Sequence, residues 1–466
     1  MPTPIKHLVV LMLENRSFDH MLGFMKRDNP AIDGLNGDEW NYPARELDPN
    51  VVVSDNAGDV HDLTPDPHHD FGDVTEQIFS TNDPTTPPDM RGFVRNYFNA
   101  GGDAVHARNV MKCFTPETLP VLSTLAKQYA VCDRWFASVP GSTIPNRMFV
   151  HGANSVGSVN QDAIDAPFLL KTIFESFDAT TPYTYKIYTP GSSILLANKY
   201  LIQHQGQFLP YSQFKDDAQR GNLPAYTFIE PTYDDDGQGN FATSQHPDFP
   251  VDRGEGLIRD VYNALTQSPG WKSTLFLIIY DEHGGIFDHV VPPTVKRLAS
   301  SAGLPDVTPS PDPPFDFTRL GVRVPAVFVS PCIAPGTVLH DRDYEHASVV
   351  ATVRKLFCPG SKPLNWREAQ APTFDDVLTL TDNAIRNDVV KLPVPVVSAG
   401  VTIQAASAEA RRPTDLSVLM AKAMDHSLKV RGLAPPGDVN AMTTNAADTA
   451  RFLQDAQKRS AAGGGK

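Results

Sequence analysis

The chain has 466 residues, enough for one large α/β domain or two to three ordinary ones. Its 41% hydrophobic and 20% charged content are those of a globular protein with a sizeable core. The net charge of −14 argues against a nucleic-acid partner and against general attraction to an anionic membrane.

In chain order, the first predicted element is the apolar run IKHLVVLML (residues 5–13), which stops at Glu14 and Asn15. It is about one strand long and has no small-residue cleavage site after it, so it reads as a core strand and not as a signal peptide. On that reading the protein is cytoplasmic, or secreted after processing. Residues 36–112 are rich in Asp, Asn, Pro and His and read as a long excursion with short helices that caps a site. Further apolar runs at 126–139, 183–189, 225–231, 273–280 and 324–330 each end in polar residues. Helical segments are expected at 117–128, 166–177, 253–267 and 346–357, and residues 294–320 as a Pro-rich loop. Helices are also expected at 406–431 and 440–458, before a disordered AAGGGK tail. Strands alternating with helices predict an α/β fold, with a mostly parallel sheet sandwiched by helices. The motifs divide the chain into a catalytic domain, 1–360, and a partly helical extension, 361–466. No window approaches the roughly 20 apolar residues of a membrane-spanning helix. Four scattered cysteines, with no CxxC spacing, argue against a disulfide framework or a thiolate metal site.

In such a sheet, ligands bind beyond the carboxyl ends of the strands. Glu14-Asn15 and Asp281-Glu282 both follow predicted strands. Adjacent carboxylates repel unless a cation sits near them, and oxygen donors of this kind suit a hard divalent ion. Gly284 and Gly285 permit a tight turn there. In SVPGSTIPNR (138–147), Ser142 and Thr143 lie in a turn that opens a helix, where an anion is favoured. A cation beside such a hydroxyl makes it a nucleophile without a histidine base. The commoner use of Ser-Thr in loops is a cap or turn. Histidines 68, 69, 246, 283, 289 and 346 sit in loops, as phosphate binders, proton donors or metal ligands would.

IKHLVVLMLENRSFDHMLG, SVPGSTIPNR, YDEHGGIFDHV, LGVRVPAVFVSP and YEHASVVATVRKLF together resemble the phosphoesterase family of bacterial phospholipases C, plant non-specific phospholipases C and related acid phosphatases. The resemblance covers roughly residues 5–360. It implies an alkaline-phosphatase-like fold and hydrolysis of phosphoesters through a covalent phospho-enzyme. Its metal ligands fall on Glu14, Asn15, Asp281 and Glu282, for one divalent ion (Ca, Mg, Mn or Zn). Its nucleophile falls on Thr143, and its site histidines on His69, His246, His289 and His346. His68, His283, Glu345 and Asn146 are expected at the substrate. The implied substrate is a phospholipid, with peripheral membrane contact, or a small phosphomonoester. The rival reading of another class is a catalytically silent lipid-binding protein on the same fold. The sequence leaves the oligomeric state open.

Overall fold

A computed structural model describes residues 5–59, 63–101, 103–161, 164–235, 241–395 and 412–462. Its centre is an eight-stranded sheet in the order Thr337–Leu339, Ala130–Cys132, Ala326–Val329, Thr274–Tyr280, His7–Leu13, Tyr226–Ile229, Tyr185–Thr189, Phe208–Pro210. All pairings are parallel except those of Ala326–Val329, which runs antiparallel to both neighbours. Alternate residues of a strand face opposite sides, yet Leu8 through Leu13 are all fully buried. Both faces of the sheet are therefore covered, as the unbroken apolar run requires. One row of helices is Pro120–Gln128, Val251–Thr266 and Tyr211–Arg220; another is Thr143–Gly152, Ala347–Phe357 and Trp366–Gln370. The Glu255 carboxylate joins two helices of the first row, accepting from the amides of Val121 and Leu122 at 2.7 Å each.

Three expected elements are split. Residues 126–139 finish one helix and form two short strands, Ala130–Cys132 and Trp135–Phe136. The helix expected at 166–177 is two, Ala166–Leu169 and Phe174–Thr180, because the Asn198 amide takes the Pro167 and Leu170 carbonyls. The segment 440–458 becomes Val439–Met442 and Ala446–Ala462, with Asn445 accepting from the Asp448 amide at 2.8 Å. The helix expected from 406 starts at Asp415 behind the Thr414 cap, while 406–411 lie outside the described residues. Ala461 and Ala462 extend the last helix, and the rest of the tail is outside the described residues. The four cysteines are free and buried.

The excursion after residue 36 builds a second apolar cluster around Val74, Ile78, Phe93 and Tyr97, which includes Ile286 and Phe287. This seats it on the loop that follows strand Thr274–Tyr280. Beyond residue 360, Phe374, Leu416, Met420 and Phe452 join the main core. No described helix is long and apolar enough to cross a membrane.

Candidate active site

The two central strands pair in parallel register from His7↔Thr274 to Leu13↔Tyr280. The next residues, Glu14 and Asp281, therefore leave the sheet side by side. The Asn15 amide donates to Asp281 Oδ1 at 2.9 Å. Asn15 adopts φ +54°, a left-handed conformation that asparagine tolerates. Gly284 has φ +66° and lies against Asn15, where a Cβ would stand 2.2 Å from the Asn15 carbonyl oxygen. Only glycine lets the two motif loops approach this closely.

Thr143 opens its helix, with Ser142 as the preceding cap residue. The buried Thr143 hydroxyl donates to Asn15 Oδ1 at 3.3 Å. The Ser142 hydroxyl is spent on Asp70. Asn146, expected at the substrate, instead staples the turn. Its Oδ1 accepts from the Val139 amide, and its Nδ2 donates to the carbonyls of Val139, Gly141 and Ser142.

Around this hydroxyl the carboxylates are short of partners. Glu14 is fully buried, and neither oxygen has a hydrogen bond of normal geometry among the described residues. Burial pushes its pKa up to about 8, against the opposing charges of His246 and Arg147. Glu282 Oε1 is likewise buried without a hydrogen bond, while Oε2 accepts from the Gly284 amide at 2.6 Å. Asp281 is better served: Oδ1 takes the Asn15 and Glu282 amides, and Oδ2 takes Arg147 Nε at 2.8 Å. Buried carboxylate oxygens without donors are the mark of a site built for a cation. Glu14, Glu282 and the amide oxygen of Asn15 fit one, with Asp281 behind them.

Two histidines reach this centre. His69 Nδ1 donates to the Pro67 carbonyl at 2.7 Å, leaving Nε2 3.5 Å from Asn15 Nδ2 and 3.7 Å from Glu282 Oε1. Burial would lower its pKa, but Glu282 and Asp66 outweigh that and raise it to about 10. His246 Nε2 lies 3.6 Å from Asp66 Oδ2; burial again opposes, and Asp66 and Asp248 carry its pKa well above the ordinary value. The carboxylates beside them favour the charged form of both rings.

The other expected residues are engaged elsewhere. His346 Nε2 donates to the Asp281 carbonyl at 2.6 Å and Nδ1 accepts from Trp135; burial pushes its pKa down to about 4. It holds the strand end, not substrate. Glu345 accepts from Ser138 and Arg367. His283 backs Glu282 and meets Gln77 at 2.7 Å, and His68 is exposed. His289 bonds Asp19 and Asp33. Asp19, Asp288 and His289 have the donor types and closeness of a cation site, their ligand atoms all lying within 4.8 Å. Arg323 occupies that cluster, donating to Asp288 Oδ1 at 2.9 Å and Asp19 Oδ1 at 3.0 Å. Arg323 and His289, the latter raised to about 10 chiefly by Asp19 against burial, bring the positive charge to these carboxylates and to Asp33.

Sequence reasoning gave no role to Arg147 or Asp66. Arg147 is buried one helical turn after Thr143 and ties Asp281, Glu230, Tyr233 and the Leu13 carbonyl together. Its signal was the Arg of PNR, at the i, i+4 spacing that puts it on Thr143's face. Asp66 stands between His69 and His246, 3.8 and 3.6 Å away. Nothing in PDPHHD separates it from Asp70.

A family model described as the Phosphoesterase family matches residues 5–358. Non-specific phospholipase C1 of Arabidopsis thaliana is 42% identical over 84% of this chain and 74% of its own length. Non-specific phospholipase C6 of the same plant is 41% identical over 81% and 72%. Phospholipase C B of Mycobacterium tuberculosis (strain ATCC 25618 / H37Rv) is 27% identical over 79% and 76%. Among solved structures, a protein in the alkaline phosphatase superfamily from Vibrio parahaemolyticus aligns at 10% identity and a TM-score of 0.38, covering 81% of this chain and 72% of that one.

Proposed function

This chain belongs to the Phosphoesterase family, and from that premise we propose that it is a phospholipase C. It cleaves a phospholipid into diacylglycerol and a phosphorylated head group. The observation that carries the reading is the Thr143 hydroxyl at a helix N-terminus, bonded to Asn15, whose chain neighbour Glu14 and whose near neighbour through His69, Glu282, keep buried carboxylate oxygens without a hydrogen bond.

Glu14, Asn15 and Glu282, with Asp281 behind them, would hold one divalent ion. When bound, that ion supplies charge to ionise the hydroxyl and to polarise a phosphoryl oxygen. The chain's own groups do the rest. Asn15 Oδ1 accepts a hydrogen bond from the Thr143 hydroxyl and so orients it toward phosphorus, and the proton lost on ionisation passes to solvent. Thr143 Oγ1 forms a bond to phosphorus as the bond to the glycerol oxygen breaks. A cationic histidine, His69 or His246, gives its proton to the departing alkoxide. The head group stays on Thr143 as a phosphodiester. Water then attacks phosphorus as its bond to Thr143 Oγ1 breaks, the same histidine takes the water's proton, and the phosphorylated head group leaves with Thr143 returned as the alkoxide. The helix N-terminus and both histidines face the charge that grows on the phosphoryl oxygens. Arg147 fixes Asp281 and with it the loop on which Glu282 stands.

The two cationic histidines also favour a second reading, an acid phosphatase, since a monoester brings one more negative charge. The test is parallel turnover of phosphatidylcholine and a chromogenic phosphomonoester, with and without chelator. Chelator-sensitive diacylglycerol release faster than monoester hydrolysis is expected. Monoester hydrolysis alone would establish the phosphatase, and turnover of neither would overturn both.

A further inference from the structure

A cavity of about 1010 Å³ opens between the segment 168–203 and the C-terminal helices. Its wall carries Lys199, Arg431 and Arg459 and no acid. None of the three forms an ion pair among the described residues. Arg431 donates to the side chain and carbonyl of Ser460, and Arg459 to the carbonyls of Ala434 and Pro435. These partners are neutral, so they fix the guanidinium groups without cancelling their charge. Burial alone lowers the Arg431 pKa, with no acid to offset it. Three uncompensated cations around one concavity focus positive potential on a protein whose net charge is −14.

The wall also carries the polar Gln203 and the large apolar side chains of Phe168, Ile202 and Leu433. Two chain neighbours of wall residues stand out from the surface, Leu169 at 47% exposure beside Phe168 and Val430 at 54% beside Arg431. Cations in a hollow with large apolar side chains next to it match the boundary of a bilayer. There phosphate lies at the level of the cations and acyl chains lie just beyond.

We propose that this cavity is a second, non-catalytic site that docks the head group of an anionic phospholipid and anchors the protein to a membrane carrying it. The proposal stands apart from the phospholipase reading, because it is measured as binding and not as turnover. It also gives a net-negative chain a local route to a surface that would otherwise repel it.

The test is co-flotation of the full chain with vesicles. One set is phosphatidylcholine alone, and the other contains phosphatidylglycerol as well. All proteins carry Thr143→Val, so that vesicle composition stays constant. Tighter binding to the anionic vesicles is expected, weakening with salt. Lys199 makes no side-chain hydrogen bond among the described residues, so Lys199→Gln leaves the fold intact. It should weaken anionic binding about fivefold, and Lys199→Gln with Arg459→Gln roughly twenty-five-fold. Lys362→Gln, an exposed lysine that does not line the cavity, should change nothing. Melting curves identify any variant that fails to fold, and Lys199→Gln alone then decides. Equal binding to both vesicle types, or an equal loss with Lys362→Gln, would overturn the proposal. So would complete displacement by inorganic phosphate, which would make this a site for a small anion. Resistance to phosphate supports the lipid.

Discussion

Glu14→Gln separates a carboxylate kept for a cation from one kept for the fold. Folding carries the Glu14 pKa from the ordinary 4.5 to about 8. Between those values the folded metal-free protein holds a proton that the unfolded chain has released. Its stability therefore falls as pH rises through that window and levels off above it. The full cost above pH 8 is on the order of 5 kcal/mol. Glutamine keeps the shape and removes the titration. It leaves one amide unpaired, at a cost of about 1–3 kcal/mol. In chelator at pH 8.5, Glu14→Gln should thus melt higher than the wild type. With saturating divalent ion the order should reverse. The wild type then gains ~4.1 kcal/mol at a concentration about one thousand times Kd, which the variant lacks and which exceeds its lead in chelator. At pH 7 the Glu14 carboxyl is still mostly protonated, so metal binding should release close to one proton to the buffer. Scanning calorimetry in both conditions, and titration calorimetry in buffers of different ionisation enthalpy, read these effects. A variant that melts lower in chelator and gains as much from metal as the wild type would refute the assignment. Unchanged turnover in Glu14→Gln would do so as well.

Thr143→Val should cost several orders of magnitude in kcat with the fold retained, whereas Thr143→Ser keeps much of the activity. Ser142→Ala should lose only the bond to Asp70, about 1 kcal/mol of stability, and little turnover. Mass spectrometry after rapid quench should place the phosphoryl group on Thr143; finding it on Ser142 would reject the mechanism. Arg147→Met leaves Asp281 and Glu230 buried without their partner and should destabilise by about 3–5 kcal/mol in denaturant titration. A neutral result would mean that Arg147 positions nothing. His69→Gln should lower kcat by roughly a hundredfold or more, a loss larger than the melting change from its bond to Pro67 accounts for. His346→Gln should act mainly through stability, since its ring holds the Asp281 carbonyl; paired melting and kinetic measurements tell the two apart.

The sequence by itself determined the strand ends. A continuous apolar run such as LVVLML can be satisfied only between two covered faces, so it reads as a core strand and its polar stop as the edge of a crevice. Glu14, Asn15, Asp281 and Glu282 stand out for that reason, each following a break from apolar to polar that shows in the order of residues alone, whereas Thr143 is singled out by the family resemblance. Tertiary structure decided the rest. It set the parallel register that puts Glu14 beside Asp281, although the two are remote in the chain. It also divided the histidines, because the job of an imidazole depends on what faces each nitrogen. For His346 those partners are Trp135 and the Asp281 carbonyl; for His69 they are Pro67 and Glu282. Arg147 and Asp66 became visible only once carboxylates and rings from distant segments closed around them. Burial strengthens each such charge pair by removing water, and no pattern along the chain records which groups are buried together.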